Sequence, residues 1–333
     1  MDLLKELTER LKRLEGHPSF DGITAAAKHI SIAERHYHAA VSNDDEEGFN
    51  DVIYRANQAF EGMLKEAHSI IVKGGSSKIT PYEIEEYFSR NNVLKPRVMQ
   101  LFTNYRKEWR NPSTHDHRAV FDEYEALMAI SNVSSFAFIL LGDILERENF
   151  SIGAKVAEEM PSQDKINIKE RIDLSEIVAK SIISYSSKIT DREFKELGPK
   201  FLEESLWGFL TTQLPDFSID NARRIGDNKI YRPDLVIEGK GETAIVEVKI
   251  SDSTQTIKQG YWQLVRYLHT LRESTGILYI QPTNHDIPLK TIRTLFRISD
   301  PPLDISIISP FSERTAVMEI GTNADKITVV TIR

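Results

Sequence analysis

Leu3, Leu4, Leu7, Leu11 and Leu14 recur three or four positions apart, which lays one apolar stripe along a helix, and Gly16-His17-Pro18 closes that segment. The same period predicts helices over 22–41 and 47–72, the second ending at Gly74-Gly75. Thr80-Pro81-Tyr82-Glu83 reads as a capped start, with a hydroxyl at the N-cap, Pro at the first helical position and Glu at the third. A later helix is expected to stop near Arg110, because Asn111-Pro112 is a turn signal. Asp122-Glu123-Tyr124-Glu125 begins a long helix that should reach about 147.

Past residue 149 the pattern weakens, and Pro161-Ser162-Gln163-Asp164 suggests an exposed connector. A helix is predicted over 194–214. Two strands rich in β-branched residues follow, 230–237 and 243–250, joined by the turn Glu238-Gly239-Lys240-Gly241-Glu242. A helix over 254–273 and a strand over 276–281 come next. Another helix is expected over 286–296, then short strands near 304–309, 316–320 and 327–332. The chain therefore reads as a multidomain protein: an all-α bundle (1–148), a connector (149–189) and an α/β domain (190–333). It carries no internal repeat and no low-complexity tract.

Composition narrows the chemistry. The 333 residues include no cysteine, which excludes disulfides, thiolate metal sites and cysteine nucleophiles. Lys plus Arg is 42 against 50 for Asp plus Glu, a net charge of −8, so the chain is no polybasic coat for nucleic acid. Positive charge is nonetheless bunched: 90–118 holds seven basic residues against two acidic, and 249–297 seven against three. The amino terminus is amphipathic with no apolar signal core. The longest uncharged stretch, 126–142, contains four Ser and Asn residues, is bracketed by Glu125 and Asp143, and is too short for a membrane span. These features predict a cytoplasmic protein with no membrane partner. No Walker A sequence is present, so no ATP-driven motor is built in.

Arg232-Pro233-Asp234 opens the first predicted strand, and Glu247-Val248-Lys249 lies in the second. Alternation puts Glu247 and Lys249 on one face, and hairpin pairing brings Asp234 beside them. Two carboxylates at a strand end suit Mg²⁺, leaving room for water and a phosphate oxygen, and an ammonium beside them can orient the attacking water. Apolar neighbours (Val236, Ile245, Val246, Val248) make charges there costly unless they coordinate something. The set resembles the PD-(D/E)xK nuclease superfamily over residues 194–285. The resemblance implies a restriction-endonuclease-like fold, hydrolysis of DNA with Mg²⁺ or Mn²⁺, and metal contacts at Asp234, Glu247 and Val248. It also implies a helical carboxylate before the hairpin, for which Glu203 is preferred and Glu204 is the alternative. Gln263 and Tyr267, one face of a helix, match a Gln-x3-Tyr motif whose implied role is to orient the catalytic strand and touch the DNA backbone.

Arg110-Asn111-Pro112-Ser113-Thr114-His115 places an Arg and a His five positions apart within the helical half. This resembles the Arg-x4–6-His motif of the HEPN superfamily over residues 20–147, with Arg110, Asn111 and His115 matching. The resemblance implies metal-independent cutting of RNA, with His115 as acid or base and Arg110 on the transition-state charge. It also matches Glu61 to a polar position that some HEPN proteins use. One chain carries one such pair, so the resemblance implies a homodimer or higher homo-oligomer with a shared cleft. His117 is a rival imidazole, and Pro112 is a rigid departure. Together the two resemblances predict a two-nuclease effector acting on DNA and RNA in antiphage defence or abortive infection. The alternative is one DNase of restriction or repair whose bundle serves dimerisation or sensing.

Overall fold

The computed structural model describes residues 3–15, 20–72, 79–116, 118–161, 173–189, 198–221, 223–225, 230–284, 287–296, 302–320 and 327–330. Contacts divide the chain into two units, Met1–Leu145 and Glu146–Arg333. The first is helical and the second is built on a mixed sheet, so a helical part precedes an α/β part.

In the first unit, α1 (Leu3–Leu11) runs into a 3-10 turn, Lys12–Leu14, and buries Leu7, Leu11 and Leu14. The long helices α2 (Phe20–Asn43) and α3 (Gly48–Val72) pack together through small residues: a Cβ at Gly62 would lie 2.9 Å from that of Ala26. The expected cap of α4 (Pro81–Arg90) is made in both directions. Thr80 Oγ1 accepts from the Glu83 amide at 3.3 Å, and Glu83 Oε2 accepts from the Thr80 amide at 2.8 Å. Phe60 stands at the centre of the core, with ring centroids 4.6 Å from Tyr105, 5.2 Å from Phe102 and 5.5 Å from Phe136. Each such ring contributes about 1.5–3 kcal/mol through burial.

Two helix ends differ from expectation. The helix α5 (Pro96–Tyr105) does not stop at Asn111-Pro112. It widens into a π turn over Arg106–Arg110 and continues as α6 (Asn111–His115). Proline cannot donate to the carbonyl four residues back, and its ring crowds that carbonyl; the wider turn relieves both and lets the helix pass. The helix α7 (Glu123–Glu158) starts at the predicted cap, where Asp122 and Glu125 exchange hydrogen bonds at 2.8 and 3.0 Å. It then runs well beyond 147. Among the described residues it is the one helix long and apolar enough to cross a membrane, and half of its most apolar 18 residues are buried. The uncharged stretch thus belongs to a longer element than the sequence suggested.

In the second unit, seven strands form one sheet in the order β1-β2-β3-β4-β6-β5-β7. They are β1 (Ser218–Asp220), β2 (Leu235–Gly239), β3 (Glu242–Ile250), β4 (Thr275–Gln281), β5 (Lys290–Phe296), β6 (Leu303–Ser309) and β7 (Ile327–Val330). The β1, β2 and β3 strands are antiparallel, β3, β4 and β6 are parallel, and β5 is antiparallel to β6 and β7. The β2–β3 turn puts Lys240 at φ 55° and Gly241 at φ 81°, the left-handed pair that matches the twist of a two-residue hairpin. The helices α8 (Leu174–Ile189) and α9 (Pro199–Gln213) pack on one face with Leu235, Ile237, Val246 and Tyr279. The helices α10 (Gln255–Leu271) and α11 (Glu313–Ile320) cover the other with Val236, Ile245, Leu278 and Ile305.

Three expected elements change here. The stretch 149–189 is no bare connector, since it carries the tail of α7 and all of α8, whose Ile177, Val178, Ile182 and Tyr185 are buried. Residues 290–296, expected as helix, are β5, because the segment sits between β6 and β7 and both hydrogen-bond to it. Residues 316–320, expected as strand, are the end of α11, with Ala316 and Ile320 buried one turn apart.

Candidate active sites

The first cluster lies where the hairpin opens out. The last β2–β3 pair is Leu235 with Val246, so the edge of β3 beyond it has no β2 partner. The Asp234 carboxylate takes that place, its Oδ2 accepting from the Val248 amide at 2.7 Å. A residue in a strand sends its N–H and C=O to the same edge, so the Val248 carbonyl also faces the side where Asp234 sits. Glu247 and Lys249 share the α10 face of β3 with Ile245, and the Lys249 ammonium is ion-paired with Glu247 Oε1. Glu247 is 1 % exposed, and its second oxygen, Oε2, is buried without a hydrogen-bond partner among the described residues.

Burial and the Asp234 charge push the Glu247 carboxyl up to about 7. Burial raises Asp234 too, against the Val248 amide and Lys249, which draw it down. Burial works against the Lys249 ammonium, but Glu247 and Asp234 more than offset it and hold the lysine above its ordinary range. Lys249 therefore keeps its proton, and the one exchanged near neutrality belongs to the carboxylate pair.

Of the two helical carboxylates, the structure separates the roles. Glu203 pairs with Lys200, and the charges of Asp234 and Arg232 act on it. Glu204 accepts from Asn149 at 2.8 Å and has Glu146 beside it, which puts it on the α7 side. Among the described residues no three His, Asp or Glu side chains converge on one point as a metal cage, so Glu203 borders the Asp234–Glu247 pair without completing a triad. On α10, Gln263 Nε2 donates to Tyr267 Oη at 2.7 Å, and Tyr267 Oη donates to the Arg232 carbonyl at 3.5 Å. The two-residue motif thus supports the segment that carries Asp234.

Sequence reading gave no role to two cations here. Lys200 lies one turn before Glu203, and Arg232 lies two residues before Asp234; both act electrostatically on Asp234 and Glu203. The signal was available as an i, i+3 pair on one helix and an alternating pair at a strand start. The donor set fits a hard divalent cation: two carboxylates, one with a buried oxygen that no described residue satisfies, and a carbonyl on the same strand edge.

The second cluster is in the helical unit. The π turn and the Pro112 turn bring Arg110 and His115 together, with Nη1 and Nε2 3.5 Å apart. Glu61 on α3 accepts from Arg110 Nε at 2.9 Å, and Asn111 Oδ1 accepts from Nη1 at 3.2 Å. The guanidinium is thereby fixed while its Nη2 edge has no hydrogen-bond partner among the described residues. Four further residues, given no role in the sequence reading, brace the turn. Tyr105 Oη donates to Asn57 at 3.0 Å, Asn57 donates to Ser113 Oγ at 2.6 Å, and Ser113 and Thr114 donate to the Arg110 carbonyl at 3.1 and 2.8 Å. Burial, then the Glu61 charge, drives the Tyr105 phenol well above its ordinary range, so it remains a donor. The rival imidazole, His117, lies outside the described residues. Compared with known proteins, the chain matches no family model, no curated protein and no solved structure.

Proposed function

We propose that the protein is a two-nuclease effector, cutting DNA at the Asp234–Glu247–Lys249 cluster and RNA at the Arg110–His115 pair. This reading assigns the second unit to the PD-(D/E)xK nucleases and the first to HEPN ribonucleases, with a role in antiphage defence. The observation that carries it is the buried, unpartnered Glu247 Oε2 beside Asp234 and a lysine. A purely structural ion pair would leave that oxygen desolvated for no return.

At the DNA site, Asp234, Glu247 and the Val248 carbonyl would hold Mg²⁺ or Mn²⁺. Such a metal, when bound, would supply an acidified water and charge neutralisation at the phosphate. Lys249, kept protonated by Glu247, sits next to the attacked phosphate and orients its oxygens. Lys200 and Arg232 add positive charge at the mouth. Gln263 and Tyr267 hold the Arg232–Asp234 segment in register. At the RNA site, one imidazole takes the proton of the 2′-hydroxyl as its oxygen attacks phosphorus. The bond to the 5′-oxygen breaks, and a second imidazole returns a proton to that leaving group. The Arg110 guanidinium, oriented by Glu61 and Asn111, meets the extra negative charge between these events. Two imidazoles need two copies of the chain, which makes the working form a homodimer or a higher assembly.

Alanine variants at Glu247, Lys249, Arg110 and His115 test both halves on labelled DNA and RNA, with Mg²⁺ or EDTA. The first two are expected to abolish metal-dependent DNA cleavage and leave RNA cleavage intact; the last two do the reverse. DNA cleavage that survives Glu247→Ala, or RNA cleavage that survives both Arg110→Ala and His115→Ala, rejects the corresponding half.

A further inference from the structure

The Arg110 turn forms one wall of a cavity of about 580 Å³. Ser113 and Thr114 line it, both within the Arg110–His115 segment, and so does Glu61, which holds the Arg110 guanidinium. Its remaining chemistry comes from Asn50, Tyr54 and Asp116 beside the already engaged Asn57 and Gln58. Among the described residues that line it, none is a lysine or arginine. A phosphate has nothing there to neutralise it and two carboxylates to repel it. A flat, neutral group with donors and acceptors on its edge meets the opposite situation.

The hydrogen-bond inventory shows what is left for such a group. Asn57 is spent on Tyr105 and Ser113, and Gln58 on Arg55 and Tyr54. The carbonyl oxygen of Asn50 accepts from the Phe121 amide at 3.2 Å, which fixes the side chain and leaves its NH₂ donating to no described residue. Asp116 Oδ1 accepts from the Arg118 amide at 2.9 Å, and its Oδ2 has no described partner. One anchored donor pair and one anchored acceptor remain, along with the ring of Tyr54, which is 58 % exposed. Donor, acceptor and stacking surface are the three things a nucleobase is recognised by. The volume lies within the range of small-ligand sites.

We infer that this cavity is a base-binding subsite: it takes the nucleobase next to the phosphate held at Arg110 and His115. The inference rests on the ribonuclease reading and deepens it, by making the RNA cleavage selective for base. Tyr54 stacks on the base, and Asn50 and Asp116 read its edge. The charged turn beside the cavity handles phosphate, and the uncharged side of the same turn handles the base.

Full-length protein is assayed on an end-labelled RNA containing all sixteen dinucleotide steps, alongside Tyr54→Ala and Asn50→Asp. The aspartate keeps the oxygen that caps Phe121 and removes the donors, so folding is preserved while readout changes. Expected are cleavage rates that differ by about tenfold or more between bases at one side of the cut, and a changed preference in Asn50→Asp. Tyr54→Ala should raise KM by about fivefold to a hundredfold, the range of a lost base stack, with kcat little altered. Equal cutting at all sixteen steps, or a preference and KM that neither variant moves, overturns the subsite while leaving the ribonuclease standing. If the wild type cuts no RNA, titration with the four nucleoside 3′-monophosphates decides. Binding lost in Tyr54→Ala supports a base subsite without RNA cleavage, and no binding of any at millimolar concentration overturns it.

Discussion

Replacing Glu247 by Gln is expected to stabilise the metal-free protein, and only away from acid. The carboxyl is pushed from an ordinary 4.5 to about 7, first by burial and then by the Asp234 charge. Well below 4.5 the folded and unfolded chains both hold the proton, and the group contributes nothing. Between 4.5 and about 7 the unfolded chain ionises while the folded one still holds its proton. The native state then binds more protons, so stability falls as pH rises. Above about 7 the loss is complete; at ~1.36 kcal/mol per pH unit the gap amounts to about 3 kcal/mol. Glutamine has the same shape and no charge to bury, so the variant escapes that loss. Urea unfolding in EDTA at pH 5 and pH 8 measures it, in a Trp109→Phe background that leaves Trp207 and Trp262, both in the sheet unit, as reporters. The variant should lead by less than about 1 kcal/mol at pH 5 and by as much as about 3 kcal/mol at pH 8. Mg²⁺ at a hundred times its dissociation constant should then stabilise the wild type by about 2.7 kcal/mol and the variant hardly at all. A variant less stable than wild type at pH 8, or a gap that does not grow with pH, refutes the electrostatic account of the site.

Other consequences are equally direct. In Gly208→Ala the new Cβ would lie 2.0 Å from the Phe150 carbonyl oxygen, where α9 crosses the tail of α7. The variant should lose about 1–3 kcal/mol or more of stability, and unchanged urea unfolding would contradict that crossing. Lys200→Ala removes an exposed cation from the mouth of the proposed DNA site. DNA cleavage should fall by about tenfold, mainly through KM and most visibly at low salt, with the unfolding curve unmoved; unaltered cleavage would exclude Lys200 from DNA contact. Glu61→Gln keeps a hydrogen bond to Arg110 and removes its counter-charge. RNA cleavage should drop while DNA cleavage is unaffected, and a parallel loss of both would point to misfolding instead.

Local rules carried much of the chain. The caps at Thr80 and Asp122 and the β-branched run of β3 each follow from near neighbours and form as the sequence suggests, while the expected 238–242 turn tightens to two residues, Lys240-Gly241. The failures share a cause, which is that distant partners decide. Ile292, Leu295 and Phe296 have helical spacing, yet β6 and β7 recruit that segment as a strand. The apolar stripe of α8 is diluted by serines that read as surface. Several are buried and satisfied far away in sequence, Ser175 by Ser306 at 3.0 Å and Ser186 by Gln281 at 2.9 Å. At Asn111-Pro112 the usual stop rule meets a π turn, which keeps Arg110 and His115 on one continuous helix.

The candidate DNA site follows the same division. Asp234, Glu247 and Lys249 were legible because a hairpin and a two-residue alternation fix them. The choice between Glu203 and Glu204 was not, because it depends on the glycines that let α9 and the α7 tail approach. That contact turns Glu204 toward Asn149 and leaves Glu203 for the carboxylate pair.

An acidic chain can still hold a polyanion if its charges cancel where the polyanion lands. Around the hairpin, Glu203, Asp234 and Glu247 face Lys200, Arg232 and Lys249, three acidic groups against three basic ones, with Glu247 partly protonated near neutrality. The cluster is therefore near neutral before any ion enters, and a divalent cation there makes it positive by about two charges, enough to attract a phosphodiester. The remaining acidic surface is screened within about 8 Å at physiological salt, so the net charge of −8 bears little on events at the site. The same arithmetic explains why Lys249 is paired rather than free. Burial alone would draw the ammonium's proton off; with Glu247 Oε1 as partner Lys249 keeps it, and on the proposed reading stays beside the incoming phosphate.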